Sequence, residues 1–259
     1  MRRAAGLLLA ALVLVPASAG AGAARPPLAL TATPAKVSIA GSGRAIIRVA
    51  NPGTSPLVVE AARAGFSLDL RGRPKIVAHR GRRTAASWLT MQPGRFVLAP
   101  GSSRALTVVS RLPARVEPGD HDALVLLTTR PRRSAAVAVR LRVGVVVVVR
   151  APGRVVRRLA LGGLRVRRAP ARGARVLEVL VVNRGNVTES LTRRRVQISL
   201  LRGGTRKALA TEPRDLRPRT NGVLAARYGT GERGWTTVRV EITAADGGPA
   251  VGRSFRVKL

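Results

Sequence analysis

Between residues 135 and 150 the chain alternates with a period of two. The odd positions Ala135, Val137, Val139, Leu141, Val143, Val145, Val147 and Val149 are all apolar. The even positions carry Arg140, Arg142, Gly144 and Arg150 among alanines and valines. Alternation of β-branched residues over this length predicts a strand with one face turned to a core. At about 3.3 Å per residue it would run roughly 50 Å, well beyond an ordinary strand. It is therefore expected to close one sandwich and lead into a second domain. The uncharged run covers only residues 143–149, whereas a membrane helix needs about 20.

The same strand grammar occurs twice, in the same order. Residues 44–50 alternate and end in Asn51-Pro52-Gly53; residues 175–182 do the same and end in Asn183-Arg184-Gly185. Residues 66–70 turn through Arg71-Gly72-Arg73-Pro74, and residues 196–201 turn through Arg202-Gly203-Gly204-Thr205. Leu98-Ala99-Pro100 opens one later strand and Leu216-Arg217-Pro218 opens another. Asn and Gly tolerate the positive φ of tight turns, and Pro presets strand entry. Helical periodicity is nearly absent. The expectation is an all-β chain of two tandem immunoglobulin-like β-sandwich domains after a signal peptide. The boundaries are 1–24 for the signal, 25–152 for the first domain and 153–259 for the second.

Arg2 and Arg3, the apolar residues 6–15, Pro16 and the small residues Ala17-Ser18-Ala19 form the expected secretory leader, cleaved between residues 19 and 24. The mature chain is expected to be extracytoplasmic: secreted, periplasmic or wall-associated, with no transmembrane span. Cysteine is absent, which excludes a disulfide framework and thiolate chemistry. The formal net charge is +35, and only Lys36, Lys75, Lys207 and Lys258 of the 47 basic residues are lysine. So basic a body attracts anionic polymers, although an Arg-, Ala- and Gly-rich composition also follows from codon usage.

In the first half, Ser87-Trp88-Leu89-Thr90 leads through Pro93-Gly94 to Phe96 and Pro100-Gly101. Leu112-Pro113, Pro118-Gly119-Asp120-His121 and the closing strand through Gly144 to Pro152-Gly153 follow. This order resembles the extracytoplasmic domain of the WxL-interacting cell-surface proteins. It is more distantly similar to the first domain of PapD-type pilus chaperones. The first resemblance implies two immunoglobulin-like domains that contact peptidoglycan or surface proteins. The second implies a basic subunit-anchoring residue in the closing strand, a position that falls on Gly144 here.

Catalytic signals are weak. Asp120-His121-Asp122 is the one cluster with acid–base or metal-ligand character, but a strand would point both aspartates away from His121. A structural imidazole bonded to nearby backbone is the favoured reading. A Gly-x-Ser-x-Gly elbow and a phosphate loop are both absent. No catalytic residue, metal ligand or cofactor is assigned. Six aromatic residues are too few to interleave with the arginines as base-stacking platforms, which argues against nucleic acid. Trp88 and Trp235 are expected to be core or domain-interface anchors. Arg140 and Arg142, expected on one strand face, and the run Arg193, Arg194 and Arg195 are the candidate anion- or partner-binding residues. The expected function is non-enzymatic binding of an anionic cell-wall polymer or another exported surface protein. The alternative is a periplasmic chaperone-like assembly factor that pairs an edge strand with client subunits.

Overall fold

The computed structural model describes residues 28–77, 84–130, 139–169, 174–229, 234–243, 245 and 250–259. The expected signal peptide, and His79, lie outside them. Among the described residues the first half contains ten strands. They are β1 (Thr31–Thr33), β2 (Lys36–Ala40), β3 (Gly43–Ala50), β4 (Leu57–Leu68), β5 (Pro74–Val77), β6 (Leu89–Gln92), β7 (Arg95–Leu98), β8 (Ser103–Ser110), β9 (Gly119–Thr129) and β10 (Arg142–Ala151). One sheet has the order β1-β3-β8-β6; the other has β2-β10-β9-β4-β5, with β7 also on β4. The opening segment thus changes sheets: β1 pairs antiparallel with β3, and β2 pairs parallel with β10. This exchange and the two facing sheets make an immunoglobulin-like sandwich. Its core interleaves Ile47, Val49, Leu106 and Val108 with Val59, Val125, Leu127 and Val147, all fully buried. Burying each such side chain contributes about 1.5–3 kcal/mol.

The long alternating segment is shorter than its pattern predicts. The described strand begins at Arg142, after Val139, Arg140 and Leu141, and spans 10 residues. Residues 135–138 of the expected strand lie outside the described residues. Val145, Val147 and Val149 face the core, whereas Val146 and Val148 on the opposite face are half-buried and buried. The segment reads as a continuous valine run because the outer face is apolar at these two positions as well, while Arg142, Gly144 and Arg150 on that face are exposed.

Residues 152–158 lead to the second half. Its strands are β11 (Leu159–Arg168), β12 (Ala174–Asn183), β13 (Glu189–Leu191), β14 (Val196–Arg202), β15 (Thr205–Leu209), β16 (Arg214–Leu216), β17 (Asn221–Gly229), β18 (Trp235–Ile242) and β19 (Val251–Lys258). The sheets β11-β12-β17 and β15-β14-β18-β19 enclose a separate core that includes Leu177, Val179, Ile198, Leu224 and Val240. The ribbon β13-β16 closes one end. The fold is therefore two tandem β-sandwiches, as the strand grammar predicts.

The internal repeat is visible in matching hydrogen bonds. Asn51 is inaccessible to solvent; its Nδ2 donates to the carbonyls of Ser55 and Leu98, and its Oδ1 accepts from Gly53. Asn183, equally inaccessible, donates to Val187 and Leu216 and accepts from Gly185. The Asn51 and Asn183 N–H groups donate to Ser102 and Thr220 respectively. Each asparagine thereby ties its turn to the Leu-x-Pro strand start. Gly101 at φ 69° in the first copy has as its counterpart Arg219 at φ 53°, a left-handed slot that normally favours glycine.

Candidate functional site

The chain has twelve acids against 47 basic residues, and among the described residues five of the acids bridge the two domains. Asp122 accepts a short hydrogen bond from Arg217, and Asp215 one from Lys36. Glu178 meets Arg71 at 3.1 Å, and Glu117 lies 3.5 Å from Arg219. Asp120 accepts from the Thr188 N–H at 2.7 Å while Arg150 holds its other oxygen. Backbone bonds reinforce the joint: Asp120 N–H to Asn186 O at 2.8 Å, and Val223 N–H to Leu70 O at 2.7 Å. Carboxylates this scarce are thus concentrated at the junction of the two sandwiches.

The strand register explains the Asp120-His121-Asp122 cluster. His121 turns inward, packs against Trp88 with ring centroids 4.7 Å apart, and donates from Nε2 to Glu117 O at 2.8 Å. The two aspartates turn outward into the joint. His121 is thereby held between the Trp88 ring and the Glu117 carbonyl, and among the described residues no group of three metal-ligating side chains converges.

Burial by itself would raise the Asp120 carboxyl, but Arg150 and the Thr188 N–H hold it below the usual carboxylate range. For Asp122 the balance reverses, and burial pushes the carboxyl up against the pull of Arg217. A depressed folded-state pKa contributes stability that is present above the unfolded value and is lost as pH falls through the folded one. Thermal unfolding should therefore show Asp120→Asn well below the parent at pH 7, with the gap closing as pH drops below about 4. A gap that persists at pH 2 would mean the loss is steric rather than electrostatic.

Between the domains lies a cleft of about 500 Å³. Its floor is the outer face of the β4, β9 and β10 sheet: Phe66, Leu68, Leu124, Leu126, Val146 and Val148. Its rim carries Arg142, Lys36 and Arg217. Lys36 and Arg217 are engaged by Asp215 and Asp122, whereas Arg142 makes no ion pair among the described residues. Gly144 lies on the floor, where a Cβ would come within 3.2 Å of Leu124.

The cleft borders a free strand edge. β2 covers β10 only from Val146 to Arg150. On that side the bonds run from Val146 N–H to Ala35 O and from Gly41 N–H to Arg150 O. Leu141 O, by contrast, accepts from Thr129 on the β9 side. Strand alternation therefore points the N–H and C=O of Arg142 and Gly144 toward the β2 side. Among the described residues no strand pairs there.

The predicted Arg sites divide. Arg142 lies on β10 and lines the cleft, but Arg140 precedes the strand, so the two do not share a strand face as expected. The run at 193–195 is not three equivalent charges. Arg195 bonds to buried Glu189 at 2.7 Å and to the carbonyls of Ser190 and Thr243. Arg193 reaches Thr211 O at 3.3 Å, and Arg194 is exposed. Trp235 also departs from expectation: it is 59% exposed rather than an interface anchor. The apolar cleft floor was missed, although Val146 and Val148 at even positions already broke the one-faced pattern.

Among the described residues no helix is long and apolar enough to cross a membrane. No family model and no curated protein matches the sequence, so the resemblance to WxL-interacting proteins is carried by motif order alone. The chain is similar to the Pseudomonas aeruginosa CupB2 chaperone at 12% identity and TM-score 0.46, covering 88% of this chain and 100% of that one. Against the E. coli chaperone DraB the values are 16% and 0.47, covering 90% and 98%. For the class 5 fimbriae chaperone CfaA they are 11% and 0.48, covering 89% and 100%.

Proposed function

We propose that the protein is an exported, non-catalytic binding module that captures an extended segment of another exported surface protein. The segment adds a strand to the free edge of β10 at Arg142 and Gly144 and lowers alternate side chains onto the apolar floor of the cleft. The observation that carries this reading is the unpaired edge bordering an apolar groove. Main-chain bonds along such an edge supply affinity, and pockets for alternate side chains supply selectivity. An anionic wall polymer would need cations rather than an apolar floor. Two of the three rim cations are already neutralised by Asp122 and Asp215.

Site-specific photocrosslinking in the native envelope tests this. A crosslinking residue at position 142 or 126 should capture exported proteins, and one at exposed Ile46 should not. Leu126→Glu should cut the yield at position 142 by roughly tenfold, because the client would then bury an unpaired charge. Equal capture at position 46 would overturn the reading. So would retention on purified wall polymer that is unchanged by Leu126→Glu but lost when Arg193 and Arg194 become Gln.

A further inference from the structure

A second surface, remote in sequence from the cleft strands, has a different chemistry. On the outer face of the β18–β19 hairpin, Trp235 lies opposite Lys258, and Thr237 lies opposite Arg256. The Arg256 guanidinium stands 5.3 Å from the Trp235 ring centroid. The alternate residues Thr236, Val238 and Val240 are buried in the second core, so parity commits Trp235 and its neighbours to solvent. No acid lies in these two rows. Glu241, further along the same face, is already held by Arg206 and Arg239.

We propose that this face docks on an anionic phospholipid surface. Its two cations complement the phosphate headgroups, and the indole, apolar in body with a polar N–H, suits the boundary between headgroup and acyl chain. A soluble polyanion would engage Arg256 and Lys258 but gain nothing from burying an exposed indole. A nucleic-acid strand would want successive stacking rings, and this face has one.

The test uses the full mature chain and vesicles of phosphatidylcholine, with and without phosphatidylglycerol. Trp88 and Trp235 are the two tryptophans, so emission reports directly on the contact. Mixed vesicles should shift the emission to the blue, and Trp235→Phe should abolish the shift. In sedimentation, Arg256→Gln with Lys258→Gln should lower partitioning tenfold or more, since each cation near an anionic surface contributes about 1 kcal/mol, or about fivefold. Arg44→Gln with Arg48→Gln removes two exposed charges from the outer face of the first domain and should have a much smaller effect. Three outcomes would overturn the proposal: no blue shift, an equal loss from the Arg44 and Arg48 pair, or the same blue shift with single-stranded DNA.

Discussion

Asn51→Ala should destabilise the first domain by about 3–4 kcal/mol, a large part of the 5–15 kcal/mol that holds a typical domain together. The side chain is inaccessible and holds the Ser55 and Leu98 carbonyls and the Gly53 N–H. Truncation leaves these groups without partners, and each buried orphan costs about 1–3 kcal/mol. Ser55, the least enclosed, recovers part of its loss through water. Asn183→Ala should do the same to the second domain, because its bonds to Val187, Leu216 and Gly185 reproduce the set. Thermal unfolding of the protein should show a fall of about 10 °C or more in the affected domain. Trp88 reports the first domain and Trp235 the second. A loss below about 1 kcal/mol at both positions would show that the turns hold without their asparagines.

Arg217→Met should unlock the joint, at a loss of about 3 kcal/mol. Arg217 donates to Asp122 and, at 2.8 Å, to Phe66 O, and its guanidinium lies 4.4 Å from the Phe66 ring centroid. Without it, Asp122 is a buried carboxylate with no partner. Burial already raises that carboxyl, so in the variant it takes up a proton at higher pH still. A raised folded-state pKa makes the penalty largest above that value and relieves it as pH falls. The loss should therefore be greater at pH 8 than at pH 5. Removing the charge as well, with Asp122→Leu, should restore most of the stability, as when buried ion pairs elsewhere are replaced by apolar groups. Small-angle scattering should show a wider spread of domain angles in the single variant than in the parent. Unchanged scattering and unfolding would mean that the backbone bonds through Asn186 and Leu70 hold the joint by themselves. Arg217→Lys keeps a charge but not the fork, and should fall between.

Strand positions, the two asparagine turns and both glycine-bearing hairpins were legible because each depends on residues close in sequence. Period-two alternation assigns side chains to two faces, and Asn-x-Gly and Leu-x-Pro announce where a strand stops and starts. The same parity shows Trp235 on one face with Arg239 and Glu241, opposite Val238 and Val240, so its exposure was readable as well. Alternation could not say what covers the second face of β10. Val146 and Val148 look like core residues in any register, and only the approach of the second domain makes them the floor of a cleft. The Arg run at 193–195 was similarly opaque, because Arg195 is withdrawn by Glu189 through the geometry of the loop between them.

Most strand segments, the turns, the tandem repeat and the absence of disulfide chemistry follow from local stereochemistry and composition, although the strand expected from residue 135 is described only from Arg142. The tertiary structure alone decided which arginines are neutralised, where the free edge of β10 lies and how the domains meet. Lys36 and Asp215, or Asp122 and Arg217, are each near 100 residues or more apart along the chain. Complementary charges are too abundant in so basic a chain for their types to name a partner. Distance and burial select the pairs, and those exist only once both cores have formed.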